Sequence, residues 1–389
     1  MLIAVAAVPV AIWLYLLFGR GGFCRVSNEH EAEQTAEHEA EQTPEKAEHR
    51  APSAAARRVV AVIPARNEAA VLSRALQSLS PQVSQVVVVD DGSTDGTQET
   101  ARALQGNITV LEGRALAPAW TGKLWALAQG VDYAETLAPD YLLFTDADIE
   151  HGPTSVSGLV AKAEARKLDL ASYMVKLACA TTAEKALIPA FVFFFLKLYP
   201  PKWIASQRRK TAGAAGGCVL IRPEALRAIG GIAAIRKEVI DDCALARAVK
   251  RGGGRIWMGL TSETCSIRSY GGFGEIGRMI SRTAFNQLHH STVFLAGAVI
   301  GLFFTYVLPP LLLLSGSPLA MILGAAAWLL MSAAYWPTVR FYKRSPLWSL
   351  ALPLIAIFYM GATLDSALRY WRGQGGAWKG RAQDLRVER

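Results

Sequence analysis

Three acidic residues stand within five positions where an apolar run ends: Asp146, Asp148 and Glu150 in LLFTDADIEHGP (142–153). Carboxylates this close repel unless water or a cation lies between them. A lone D-x-D is short and common, and most often it closes a strand in a polar turn. Its chemical alternative is a site for a hard divalent cation, Mg²⁺ or Mn²⁺, which takes one or two carboxylates together with substrate phosphates. A second acidic group, VVVVDDGSTDGT (86–97), ends another apolar run with Asp90, Asp91 and Asp95, and Gly92 and Gly96 supply a tight turn. An Asp at a strand tip can accept hydrogen bonds from a base N–H or from ribose hydroxyls, so the pattern suits a mononucleotide. The turn at 86–97 is not G-x-G-x-x-G, so it is no dinucleotide fingerprint. WTGKLW (120–125) is no P-loop, because Gly113 lies too far upstream and Leu124 follows Lys123 where Ser or Thr is required. Lys123 and a cation at Asp146 and Asp148 would together neutralise a diphosphate. Asp241 and Asp242 precede CALARAVK (243–250), where they suit either helix capping or proton abstraction.

The elements that must hold these residues read as an alternation from Arg57 to about His290. The apolar runs VVAVI (59–63), VVVV (86–89), ITVLE (108–112) and YLLF (141–144) are separated by helical stretches: Asn67 to Leu79, Thr97 to Leu104 and Lys123 to Ala134. Strands without polar alternation, separated by helices, predict a mostly parallel sheet covered on both faces. Ligands of such sheets bind at the carboxyl ends of the strands, where Asp90, Asp91 and Asp146 fall.

The 389-residue chain is 52% hydrophobic, and its apolar residues cluster at the two ends. Leu2–Phe18 is an uncharged run of 17 residues, short for a span, without the basic start or small-residue site of a cleaved signal; it is expected to be an uncleaved anchor. Thr292–Leu314, Leu319–Tyr335 and Leu347–Leu364 read as membrane helices. AFVFFFLKLYPPKW (190–203) is too short to span and reads as an interfacial helix, with a core helix as the alternative. Between anchor and sheet lies an eight-residue repeat, EHEAEQTA then EHEAEQTP (29–44). Gln34 stands where an H-E-x-x-H metal helix needs His, so a solvated low-complexity linker is expected. The whole chain carries +9 and residues 27–50 carry −6, so the rest carries +15. No nucleic-acid-binding signature accompanies that charge, which leaves membrane and phosphate-bearing partners. Five cysteines, odd in number and without C-x-x-C, argue against a disulfide framework or a zinc site. His289 and His290, at the start of the C-terminal apolar segments, are expected to pack rather than catalyse.

The ordered set PARNEA (64–69), VVVVDDGSTDGT, WTGKLWAL (120–127), LLFTDADI, GAAGGCVLIRPEAL (213–226) and VIDDCALARAVKRGG (239–253) resembles family 2 glycosyltransferases. The phrasing of TGKLWALAQG, IPAFVFFF, TAGAAGGC and GGIAAIRKEVIDDCALA is most similar to the hopene-associated subgroup. The resemblance implies a GT-A-type, Rossmann-like, mostly parallel α/β sheet flanked by helices, with transmembrane helices at the N- and C-terminal ends. It divides the chain into an anchor (1–20), an acidic linker (21–57), a GT-A domain (58–290), C-terminal transmembrane helices (291–368) and a basic tail (369–389). It implies metal-dependent, inverting transfer of a sugar from a nucleotide-diphosphate sugar, UDP-linked, to a lipid acceptor at the cytoplasmic membrane. The catalytic domain would face the cytoplasm, which agrees with Arg20, Arg25 and RFYKR (340–344) under the positive-inside rule. Three full C-terminal spans would then put the basic tail outside, against that rule.

Carried over position by position, Pro64, Glu68, Asp90 and Asp91 would meet the nucleoside, Lys123 the base or diphosphate, and Asp146 and Asp148 a divalent metal. Gly216 and Gly217 would shape the sugar and acceptor pocket, and Asp242, beside Asp241, would be the catalytic base. Glu150 drops out as a solvated turn residue. Asp241 stands where the family usually has Glu. RMISRTAF (278–285) replaces a Q-x-x-R-W motif with Met279 for Gln and Thr283 for Trp, which leaves Arg282 for phosphate and argues for single-sugar transfer. Two alternatives stay open: a nucleotidyltransferase, whose glycine-rich loop PARNEA lacks, and a degenerate membrane scaffold, which would not need Asp91, Asp148 and Asp242 together.

Overall fold

The computed structural model describes residues 1–25 and 57–374, and the backbone of four further residues in two short strands, Ala377–Trp378 and Arg381–Ala382. The acidic repeat lies outside the described residues. The frame is an eight-stranded sheet made of β1 Val59–Ala65, β2 Gln85–Asp90, β3 Ile108–Glu112, β4 Tyr141–Phe144, β5 Ile149–Glu150, β6 Leu170–Lys176, β7 Val219–Ile221 and β8 Ile256–Ser266. Their order is β3-β2-β1-β4-β7-β6-β8-β5. β1 pairs in parallel with β2 and β4, β2 with β3, and β6 with β8. β7 runs against β4 and β6, and β5 against β8. The fold is thus the expected GT-A-like α/β sheet, mixed in direction, with apolar helices before and after it. Strands β6, β7 and β8 were not delimited by apolar runs alone.

Side chains of β1 alternate between two cores, as a strand's period of two dictates. Val60 and Val62 join Val87, Val89, Leu142 and Phe144 on one face, while Val59, Ala61 and Ile63 join Leu72, Leu76, Val88 and Leu143 on the other. The first of these cores runs without a break into the apolar helices, taking in Phe193, Tyr335 and Tyr359. Where the Gly122–Glu135 helix crosses β1 and β2, Gly130 lets the helix approach the sheet: a Cβ there would stand 2.3 Å from Val62 Cγ1 and 3.0 Å from Val89 Cγ2.

Among the described residues, four helical stretches are long and apolar enough to cross a membrane: Leu2–Gly19, Thr182–Ala205, Thr292–Leu312 and Pro318–Phe341. Two expectations change here. The run at 190–203 falls in the second half of a longer helical stretch, Thr182–Ala205, built from the Thr182–Leu198 helix and the short Pro201–Ala205 helix, so its length does not exclude a span. More than half of its apolar window is nonetheless buried within the protein. Leu347–Leu364 does not join the four. Its chain breaks at Ala351 and continues as Leu352–Trp371, whose second half carries an Asp365–Arg369 ion pair at 2.7 Å and which packs along the amphipathic Phe273–Gln287 helix. His290 stacks on Tyr370 at 4.1 Å between ring centres, a packing role as expected.

Glu184 fixes the start of the Thr182–Leu198 helix. It completes a capping box with Thr181, and its carboxylate accepts the backbone N–H groups of Ala180, Thr181 and Tyr270 and the Ser269 hydroxyl. A wholly buried carboxylate is tolerated only with such saturation. It ties this helix to the segment that follows β8.

Gly130→Ala is expected to destabilise the protein by about 1–3 kcal/mol through overpacking against Val62 and Val89, measured as a lower thermal unfolding midpoint of the detergent-solubilised chain. An unchanged midpoint would show that the helix can lift from the sheet without cost.

Candidate active site

The carboxyl ends of β1, β2 and β4 lie along one edge, with Ala65 in register with Asp90 and Val62 with Phe144. Because β7 is antiparallel to β4, its entry segment, with Gly216, arrives at the same edge: Phe144 faces Val219. β8 ends there too, and Ile267 N–H donates to Asp148 O at 2.9 Å. Five strands therefore deliver polar residues to one cleft. Its deep part is lined by Pro64, Lys123, Leu124, Phe144, Asp146, Gly216, Val219, Ile235, Asp241, Asp242 and Leu245.

Lys123 sits at the centre. Thr121 caps the Gly122–Glu135 helix by accepting from Leu124 N–H, which places Lys123 in the first turn with its side chain in the cleft. Its Nζ lies 2.9 Å from Asp146 Oδ1 and 3.0 Å from Asp241 Oδ2. Burial works against the ammonium charge, but Asp146 and then Asp241 outweigh it and hold the group above its ordinary range. In this structure Lys123 thus joins the D-x-D to the Asp241-Asp242 pair. Asp146 is pushed up by enclosure, against the opposing Lys123, with Asp148 adding to the rise.

Asp242 lies in the first turn of the Asp241–Arg251 helix, but neither Asp caps it: the N-cap is Ile240 and no side-chain cap bond forms. The Asp242 carboxylate instead accepts Gly216 N–H at 2.8 Å and Cys243 N–H at 2.6 Å. Burial pushes this carboxyl up to about 6, Asp241 adds to the rise, and Lys123 and the two N–H groups oppose it. A base with that value is mostly ionised at neutral pH while still able to hold a proton.

Asp148 turns away from Lys123. Its Oδ2 accepts the Ser266 hydroxyl at 3.0 Å and Arg268 Nε at 3.1 Å, and the same guanidinium pairs with Glu68. Arg268 follows β8 and was not singled out in the sequence. No motif marks it, and only the register of β8 beside Asp148 brings it to the cleft. His151 was also missed. It is neutral, its ring pushed down to about 4 by burial, and with Thr145 it braces the turn behind Asp146: Thr145 Oγ1 lies 3.0 Å from His151 Nε2 and donates to Gly217 O.

The other expected residues divide. Asp91 is buried at the strand tip beside Arg66, and Glu68 is buried beside Arg268. Asp90 is folded into its own turn, where its carboxylate takes the Ser93 N–H and hydroxyl. Gly217 packs away from the cleft against Val175 and Ile149, whereas Gly216 faces Asp242 and Lys123. Arg282 is exposed on the Phe273–Gln287 helix and does not line the deep cleft. Glu150 is not a solvated turn residue: it forms a two-pronged ion pair with Arg74, at 2.9 and 2.5 Å, from the edge strand β5.

As a metal-binding set, Asp146 and Asp148 are hard oxygen donors two residues apart, each already facing a cationic side chain. Among the described residues no group of three His, Cys, Asp or Glu side chains could enclose an ion. The pair fits a divalent ion whose remaining positions are filled by phosphate oxygens and water, and not a site enclosed by protein alone.

Residues 60–230 match the family model described as glycosyl transferase family 2. A 4,4'-diaponeurosporenoate glycosyltransferase of Staphylococcus haemolyticus is 37% identical over 94 residues, 24% of this chain and 24% of that protein. An uncharacterised protein of Methanocaldococcus jannaschii is 30% identical over 116 residues, 28% of this chain and 49% of that one. The chain thus spans about a quarter to a half of the curated relatives it matches. Among solved structures, glucosyl-3-phosphoglycerate synthase from Mycobacterium tuberculosis with Mn²⁺ and uridine-diphosphate-glucose superposes with a TM-score of 0.40 at 20% identity, covering 59% of this chain and 78% of that one. Likeness of that degree assigns neither substrate nor metal.

Arg268→Ala removes the cation shared by Glu68 and Asp148, and is expected to cost about 1–3 kcal/mol of stability, read from the unfolding midpoint at pH 7. Arg268→Lys should recover only part of the loss, since one ammonium replaces a fork. Wild-type stability in both variants would show that the bridge contributes nothing.

Proposed function

We propose that the protein is a membrane-bound glycosyltransferase that moves one sugar from a nucleoside-diphosphate sugar to a hydroxyl-bearing lipid acceptor with inversion. The observation that carries this reading is a D-x-D joined through Lys123 to Asp241, next to a buried Asp242 whose carboxyl is pushed up to about 6. A cation-holding acidic pair alone would serve many reactions. Joined within one cleft to a base that takes protons near neutrality, it suits attack by a hydroxyl on a carbon bearing a diphosphate leaving group.

The residues divide the work as follows. Asp91 and Glu68, buried at the tips of β2 and β1, would accept hydrogen bonds from the nucleoside. Asp146 and Asp148 would hold a divalent ion, which would supply positive charge for the departing diphosphate. Lys123, protonated and between the two acidic pairs, adds a fixed positive charge beside that diphosphate. Asp242 takes the proton of the acceptor hydroxyl as its oxygen bonds to the anomeric carbon, while the bond from that carbon to the diphosphate breaks and the electron pair leaves with the nucleoside diphosphate. Gly216 donates its N–H to the Asp242 carboxylate and, lacking a side chain, keeps the approach open: a Cβ there would sit 3.4 Å from Asp242 Oδ2 and 3.5 Å from Lys123 Nζ. Asp241 keeps Lys123 charged and raises Asp242, so it would be a positioning residue. Arg282 would serve a phosphate only if the helix bearing it moved toward the cleft.

A lipid acceptor is supported by the four apolar helices and by the single core they share with the sheet, which holds the cleft next to the membrane. The name of the staphylococcal relative adds support for a glycosyltransferase reading. Hopanoid-related acceptors remain the reading suggested by the sequence phrasing. The domain division stated above, with a catalytic unit at 58–290 facing the cytoplasm, is part of the proposal. A nucleotidyltransferase is disfavoured by Asp242, since attack by a phosphate oxygen needs no base.

Purified protein in detergent, given a panel of nucleoside-diphosphate sugars, a lipid extract and Mn²⁺ or Mg²⁺, should release nucleoside diphosphate in proportion to glycolipid formed. Asp148→Ala should lose metal-dependent donor binding. Asp242→Asn should bind donor normally and lose at least about a thousandfold in turnover. In the wild type, kcat/KM should fall about tenfold per pH unit below about 6, because protonation of Asp242 removes the base. Equal turnover by Asp242→Asn, or a flat profile from pH 7 to 5, would remove Asp242 from this role.

A further inference from the structure

The ends of two apolar helical stretches meet in a patch of positive charge that the described residues leave unbalanced. Leu2–Gly19 runs into Arg20 and Arg25, and Thr182–Ala205 carries Lys202 near its end and leads into Arg208, Arg209 and Lys210. The sequence has no Asp or Glu from 1 to 28 or from 185 to 223. Among the described residues, Arg25, Lys202, Arg208, Arg209 and Lys210 are exposed and make no ion pair with a carboxylate.

The patch is built and not a scatter of loose chains. Arg20 donates Nε to Lys197 O at 2.9 Å, which joins the two stretches. Its guanidinium lies 5.1 Å from the Trp203 ring centre, and that of Arg209 lies 4.9 Å from the same ring. Two positive groups are thus held within about 10 Å of each other, inside roughly one screening length at physiological salt. Gly21, at φ +63°, packs so closely that a Cβ would stand 2.7 Å from Trp203 Nε1. Behind the patch, Lys250 donates to the carbonyls of Trp203, Ile204 and Thr211 at 3.0, 2.6 and 2.7 Å. Lys250 belongs to the helix whose first turn carries Asp241 and Asp242.

We propose that this patch binds the headgroup of an anionic phospholipid. Its place at the ends of apolar helices puts it at headgroup depth, a Trp in that position suits the membrane interface, and guanidinium groups grip phosphate oxygens through paired N–H donors. Lys250 then makes the bound lipid a fixed reference for the helix bearing the acidic pair. The inference rests on charge, position and packing and stands independently of the transfer reaction.

The test uses the full chain in uncharged detergent, titrated with short-chain phosphatidylglycerol, short-chain phosphatidylcholine and inorganic phosphate, with dissociation constants read by thermophoresis. Phosphatidylglycerol should bind saturably and at least tenfold more tightly than phosphatidylcholine, and equal concentrations of inorganic phosphate should not displace it. Arg20→Gln/Arg209→Gln should weaken phosphatidylglycerol binding by tenfold or more, at about fivefold per charge. Arg208→Gln/Lys210→Gln touches only exposed side chains, keeps the Trp203 packing and should weaken it several-fold. Equal binding of both lipids, displacement by phosphate, or wild-type affinity in the second variant would overturn the proposal.

Discussion

The cleft depends on one ammonium group shared by two acidic pairs. With Lys123 Nζ 2.9 Å from Asp146 and 3.0 Å from Asp241, the two carboxylate oxygens are at most about 6 Å apart, where bare charges would repel by about 3 kcal/mol at an effective dielectric of ~20. Asp148 and Asp242 add further negative charge. The protein answers with two internal cations, Lys123 across Asp146 and Asp241, and Arg268 across Asp148 and Glu68. Each cation links a residue on one strand tip to a residue brought from elsewhere, so charge balance and geometry are set together. A donor bearing phosphates and a divalent ion would enter a cleft whose acidic charge is only partly balanced, and would have to exchange with these partners.

That arrangement depends in turn on the sheet. Parallel pairing of β1, β2 and β4 lines up their carboxyl ends, and the reversal at β7 brings Gly216 to the same edge. The loop after β8 is pinned twice, by Ile267 N–H on Asp148 O and by Tyr270 N–H on Glu184. Glu184 belongs to an apolar helix whose core is continuous with that of the sheet. Cleft and apolar helices are therefore one packed body on that face.

Much of this was legible in the residues. The apolar runs at 59–63, 86–89 and 141–144 became strands buried on both faces, which the absence of polar alternation announces, and the run at 108–112 became the half-buried edge strand β3. Asp146, Asp242 and Gly216 came together as expected. What the residues did not disclose depends on partners distant in sequence. Arg268 reaches the cleft only because β5 pairs with the end of β8. Glu150 looked like a turn residue because Arg74, its partner, is 76 positions away. Gly217 and Asp90 sit in the expected segments but point elsewhere, since one glycine of a pair faces Val175 and one aspartate closes its own turn. Helix bounds were less legible: a capped start at Thr182 begins one helix before the apolar run at 190, and the stretch at 347–364 breaks at Ala351 before a helix that continues to Trp371.

The coupling of the two acidic pairs by Lys123 is what the chemistry of the cleft depends on. Its most direct test is the pH dependence of kcat/KM for sugar transfer in Lys123→Met beside the wild type. Lys123 opposes the burial that raises Asp242, so its removal should carry the acid limb upward from about 6, whatever the loss in absolute rate. An acid limb that stays at the wild-type position would show that the ammonium does not govern the base.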